Sequence, residues 1–272
     1  MRNKLSVLFF LMGTLGAISQ NYSGTAIYQM KMSSADFRNE VLSDPKMDAA
    51  MKAFIEERMK KMFSKTYVLD FNKNASIYKE QQELSTTEGI TVMSTMGLDI
   101  ALFKDIKNGT QLIEKELMGK SFTVKDSLKK RNWNIENETK KIGEYTCYKA
   151  VFKIPVSPKE TEEFEMKKLE QSKNSTQLLK VSEPKEKVVT VWFTPEIPVN
   201  HGPENYWGLP GLILEVTLDK ATILCTKITL NTKGEMNINL KPKGELISQK
   251  QYDEIVEQKT KELEANDYMP GN

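Results

Sequence analysis

One histidine and two cysteines occur in 272 residues. That scarcity removes several chemistries. A zinc site of ordinary type takes three or four His, Cys or carboxylate ligands. Here it would have to lean on carboxylates, and no spacing supports that. The expectation is no metal and no cofactor. Nucleophilic catalysis wants a proton acceptor near neutral pH, usually histidine. His201 is the sole one, in the turn-rich segment VNHGPEN, where it reads as an exposed loop residue. There is no G-x-S-x-G elbow, no G-x-x-x-x-G-K-S/T loop and no G-x-G-x-x-G. No catalytic residue is assigned. Carboxylates are abundant, but glycosidase chemistry needs just two at the right separation, so abundance decides nothing.

An excess of one charge is also missing. Lys and Arg number 39 against 37 Asp and Glu, and nucleic-acid binding needs a basic surface. Long apolar runs are missing after the first residues. Leu5 to Leu15 is apolar, preceded by Arg2 and Lys4 and followed by the small residues Ala17 and Ser19. This is the plan of a secretory signal peptide over residues 1–19, too short to span a bilayer as an ordinary helix. No cysteine follows the run to carry a lipid. The expectation is an exported, soluble protein, periplasmic or extracellular, starting near Gln20 with no transmembrane segment. Arg2 and Lys4 leave with the signal, which balances the charges. Cys147 and Cys225 could pair in an oxidising compartment, or be two small buried residues.

What is present is mostly strand. GTAIYQMK (24–31) alternates. From Thr66 a period of two dominates: TYVLDF, then ASIYKE after a turn at Asn72–Asn74, then ALFKDIKNGTQLIEKEL with Asn108-Gly109 as a hairpin signal. SFTVKD, RNWNIEN, YTCYKAVFKI, KVVTVWFT, GLILEVTL, TILCTKITL and MNINLK continue the series. Strands joined by short turns pair antiparallel, and the absence of a strand–helix rhythm argues against a parallel nucleotide-binding sheet.

Three segments interrupt it. Residues 44–63 form an amphipathic helix, with Ser43 or Asp44 as cap and Pro45 in its first turn. Met47, Met51, Phe54 and Met62 share its apolar half, and Arg58 falls near the centre of that half. Core packing is the plain reading of such a stripe. An adaptable apolar surface or a Cu(I) site are the sharper ones. An arginine in that place snorkels, pairs, or meets a ligand's anionic group. Residues 155–187 are a charged, proline-flanked mobile excursion with room for one helical stretch. Residues 248–272 hold a C-terminal helix capped by Ser248, with Tyr252, Ile255, Val256 and Leu263 as a narrow apolar stripe. Residues 20–247 otherwise read as a single antiparallel-sheet domain.

The densest stretch is WFTPEIPVNHGPENYWGLPGLILE (192–215). It carries four of the ten prolines, two of the three tryptophans and the histidine. Pro195 and Pro198 end a strand. Gly208-Leu209-Pro210-Gly211 leads into the next one, and Leu209 to Leu212 fits a type II turn with Gly211 at positive φ. Pro195, Pro198, His201, Tyr206 and Trp207 are the candidate partner surface of this corner.

GLPGLI at 208–213, WNIENETKKIGEYTCYKA at 133–150, WFTPEIP at 192–198 and Gly202-Pro203 resemble, in order and spacing, the GLPGLI family of exported Bacteroidetes proteins without an assigned activity. The resemblance covers residues 20–255 and is strongest between 133 and 218. Its rhythm looks similar to periplasmic lipoprotein-carrier-like folds. It therefore implies a mainly β, α+β fold with a strongly curved antiparallel sheet around helices. The expected function is non-enzymatic binding, of an apolar ligand or lipid in a cavity lined by Met47, Met51, Phe54, Met62 and Arg58, or of an envelope protein at the corner. The alternative is an envelope hydrolase using His201 or nearby carboxylates.

Overall fold

The computed structural model describes residues 22–32, 49–53, 64–81, 98–173, 183–219, 221–231 and 236–267. Among these residues the fold is mainly β, with three helical segments and one mixed, open sheet of 12 strands. Two antiparallel meanders make up most of it. The first runs through β1 (Ser23–Met32), β2 (Ser64–Phe71), β3 (Ala75–Glu80), β4 (Leu98–Asp105), β5 (Thr110–Leu117) and β6 (Lys120–Ser127), each strand beside the next. The second runs through β7 (Asn134–Ile142), β8 (Tyr145–Ile154), β9 (Lys187–Thr194), β10 (Leu212–Leu218) and β11 (Ala221–Asn231). A single antiparallel seam, β1 against β11, joins them.

Local chemistry explains the turns. The Asn72 side-chain oxygen accepts from the N–H groups of Asn74 and Ala75, both at 2.8 Å, which closes the β2–β3 hairpin where the sequence places it. Gly109 adopts φ +65° between β4 and β5.

MNINLK, expected as a strand, is none: residues 236–241 are irregular. The first of them, Met236, accepts from the Asn72 side-chain amide at 2.9 Å, while Lys243 exchanges two hydrogen bonds with the Thr123 hydroxyl, at 2.8 and 3.0 Å. Side-chain partners replace a ladder there. The pairing is also not antiparallel throughout, because β12 (Glu245–Ser248) adds to β6 in parallel. The last strand arrives by this crossover instead of a tight turn, which permits the parallel sense.

Two helices have readable starts. α1 (Pro158–Lys173) lies within the charged excursion, and α2 (Gln249–Asp267) follows β12. Ser248 caps α2 reciprocally with Gln251, N–H to Oγ at 3.3 Å and N–H to Oε1 at 2.9 Å. Ser157 and Glu160 do the same for α1. Tyr252 of α2 is buried, edge-on to Phe122 at 5.7 Å. The Leu263 side chain lies outside the described residues.

Residues 49–53 are helical, and Met51 is 51% exposed. Met47, Phe54, Arg58 and Met62 lie outside the described residues, as do residues 1–19. Among the described residues, no helix is long and apolar enough to cross a membrane. The core is one cluster running through both meanders, with Tyr28, Leu69, Phe71, Phe122, Phe193 and Ile213 among its members.

Candidate functional site: the corner and its groove

The β9–β10 connection turns inward. Two three-residue turns shape it: Val199 N–H donates to Ile197 O and Gly211 N–H to Leu209 O, both at 2.8 Å. Pro198 and Pro210 sit at their centres, where the proline φ suits an inverse γ-turn. Leu212 N–H then donates to Ile197 O and Ile213 N–H to His201 O, each at 3.0 Å. The connection is thereby laced to the start of β10.

Gly211 does not take positive φ; Gly208 does, at +93°. The type II expectation fails because the short Leu209–Gly211 bond closes the turn one residue earlier. Gly211 is needed for space: a Cβ there would lie 2.2 Å from Thr194 O. Gly202 is also crowded, with Tyr206 O at 2.7 Å and Ile213 Cβ at 2.8 Å from an added Cβ.

Of the five candidate surface residues, Pro195 and Pro198 are exposed. His201 is fully buried, and Tyr206 and Trp207 are buried. His201 is no exposed loop residue. Its Nε2 lies 2.9 Å from Asn72 O, so that nitrogen carries the proton and donates. Burial, chiefly, and the nearby Lys104 push its pKa down to about 3. Its Nδ1 has no hydrogen-bond partner among the described residues. The ring is a neutral strut.

Lys104 of β4 is the residue that sequence reasoning missed. It is fully buried, and its Nζ donates to Gly202 O at 2.7 Å and Glu204 O at 2.6 Å. Burial pushes its pKa down to about 7; Glu204 opposes this and Arg131 adds to it. Glu204 holds φ +47° in a turn closed by Tyr206 N–H to Pro203 O at 3.1 Å. A non-glycine residue in that region costs about 1–2 kcal/mol, and here it aims the carbonyl at the ammonium. Tyr28 of β1 adds a third tie, its hydroxyl donating to Ile213 O at 2.7 Å. The corner thus belongs to the second meander and is bonded to β1, to the β2–β3 turn and to β4 of the first.

The β6–β7 connection packs on the outside of the corner. Arg131 Nε donates to Asn205 O at 3.0 Å, and its guanidinium lies 5.0 Å from the Phe152 ring and 5.1 Å from the Tyr206 ring. Trp133 Nε1 donates to Trp207 O at 2.9 Å. Between this connection, the β4–β5 turn and the corner lies a groove of about 400 Å³. Ile106, Leu128 and Trp207 give it an apolar floor, and Lys130, Arg131 and Asn200 a polar rim.

Cys147 and Cys225 are free and buried. Burial raises both thiols, to about 11 and about 12. Among the described residues, no group of three or more His, Cys, Asp or Glu could hold a metal ion.

The profile of a family described as "Protein of unknown function (Porph_ging)" matches residues 133–215. No curated protein matches the chain. Among solved structures the chain is similar to PNGF-II, determined in space groups C2 and P21. Identity is 12% in both, with TM-scores of 0.47 and 0.46. The likeness covers 86% and 85% of this chain and 32% of the other, so the chain spans about a third of PNGF-II.

Proposed function

We propose that this chain is an exported, non-enzymatic binding protein, and that it holds a small, largely apolar molecule in the groove beside the corner. The observation that carries this reading is the groove itself. Pockets for small molecules are concave, with apolar walls and a few placed polar groups, and this one sets three apolar side chains beside three polar ones. The inward turn of the corner favours a ligand over a protein partner. His201, Tyr206 and Trp207 are spent on internal contacts, and only about 1.5–3 kcal/mol per large side chain would be gained by burying an exposed one against a partner. His201, neutral and fully buried, is poorly placed to serve a substrate, which weighs against the hydrolase alternative.

The reading includes a strongly curved sheet of carrier-like form. Five strand steps separate β4 from β10, about 24 Å in a flat sheet. Yet Lys104 of β4 bonds Gly202, next to His201, whose carbonyl holds Ile213 of β10. One side chain and a short loop bridge the strands, as curvature would allow.

Native mass spectrometry of the full chain, purified from its own source, tests the proposal. A co-purified small molecule is expected, and Leu128→Trp, which fills the groove, should lose it. Retention of the molecule by a folded Leu128→Trp variant would place the ligand elsewhere.

A further inference from the structure

Which kind of apolar molecule the groove takes follows from its rim. Lys130 is exposed there, and Arg131 is half-buried with its Nε committed to Asn205 O. Among the described residues, the two Nη groups of Arg131 have no hydrogen-bond partner, which leaves a planar fork of N–H donors at the groove's edge. Contact with the Phe152 and Tyr206 rings, at 5.0 and 5.1 Å, restricts that fork before any ligand arrives. Lys104 lies behind, close enough to depress the His201 pKa. Glu204 is the acid that acts on both Lys104 and Arg131. Lys130 and the Arg131 fork place two cationic groups on the groove's lining, where an anion would be favoured, although the whole chain is nearly neutral.

We infer that the groove takes an alkyl carboxylate, its head group on Arg131 Nη and Lys130 Nζ and its chain along Ile106, Leu128 and Trp207. This rests on the groove reading above. A carboxylate suits the guanidinium fork, with two parallel N–H···O bonds in one plane. A chain of about ten carbons is short enough to lie within 400 Å³. The Arg131 fork supplies orientation, and the apolar floor supplies most of the affinity.

Calorimetric titration of the full chain with decanoate, decanol and acetate separates the possibilities. Decanoate should bind at least tenfold more tightly than decanol, and acetate should not bind measurably. Arg131→Gln should remove most of the preference for decanoate over decanol and leave decanol unchanged. Because Arg131 also packs on two rings, Lys130→Ala is the second variant. Lys130 is exposed, so its loss should weaken decanoate several-fold without moving the melting temperature. Rising salt should weaken decanoate and not decanol. Equal binding of decanoate and decanol would overturn the head-group inference while leaving an apolar groove. Acetate binding as tightly as decanoate would mark a simple anion site and overturn the alkyl part. Binding of none of the three would overturn both this inference and the groove reading.

Discussion

The Tyr28 hydroxyl donates to the Ile213 carbonyl at 2.7 Å across 185 residues of sequence. It crosses the seam between the two meanders, since Tyr28 lies on β1 and Ile213 on β10 beyond β11. Lys104 and His201 make the same crossing through Gly202, Glu204 and Asn72. The proline- and glycine-rich corner is therefore a fastener placed across the join between the two meanders.

Gly211→Ala should be the more damaging of two glycine substitutions. Its Cβ would meet Thr194 O at 2.2 Å, and overpacking against backbone costs about 3 kcal/mol or more. Gly208→Ala meets nothing within 4 Å and bears the strain of φ +93° alone, about 1–2 kcal/mol. Denaturant midpoints of the two variants decide it. A Gly208→Ala variant as unstable as Gly211→Ala would contradict the close approach.

Acid should loosen the corner through His201. Its pKa is about 3 in the fold against 6.5 as a free group. Between those values the unfolded chain takes up a proton that the folded chain does not. Stability then falls as pH drops from 6.5 towards 3, by up to about 1.4 kcal/mol per unit. His201→Gln keeps a donor for Asn72 O and removes the proton. Urea unfolding across this range should show a shallower slope for the variant, and parallel slopes would count against the buried neutral ring.

Lys104 should act in the alkaline direction. Its pKa is about 7 folded and 10.5 free, so between these values the unfolded chain holds the extra proton. Stability from this group is absent below pH 7 and grows as pH rises towards 10.5. The usable window closes near pH 10, where the buried Tyr28 and Tyr78, whose pKa values burial raises, begin to reverse the trend. Lys104→Met should flatten the rise between pH 7 and 9.5. It should also lower stability overall, since the carbonyls of Gly202 and Glu204 lose their donor. An unchanged pH profile in the variant would refute the assignment.

The two thiols should be slow to react. Both are buried and raised to about 11 and 12, which leaves little thiolate at neutral pH. The double variant Cys147→Ala, Cys225→Ala should fold with a modest loss of stability, because two small core groups are trimmed. Labelling of the native protein by iodoacetamide at pH 7 within minutes would show that one thiol is open.

Hairpins were legible because their causes are local. Asn72 with its neighbours and the alternation of TYVLDF are enough to write down β2 and β3. The corner was visible as a corner, yet its direction was not. VNHGPEN reads as surface because turn residues usually are, and nothing within it reports the sheet that covers His201. The Gly211 error has the same origin: proline followed by glycine suggests positive φ, whereas crowding by Thr194 comes from another strand. Lys104 did leave a signal. In ALFKDI, strict alternation puts it on the face of Leu102, among apolar neighbours, which marks a lysine that must find buried acceptors. The parallel β12 and the β1–β11 seam join segments more than a hundred residues apart, so no sequence window contains either.

The seam has a consequence in time. Each meander can assemble by pairing strands that follow one another, which is fast, whereas β1 must wait for β11, about two hundred residues later in the chain. Until then β1 offers an open edge to any extended chain nearby. The ties made by Tyr28, Lys104 and His201 span the two halves, so they need both in place before they can close. Weakening them should leave the refolding rate nearly unchanged and quicken unfolding, so the corner governs how long the folded molecule lasts more than how soon it forms.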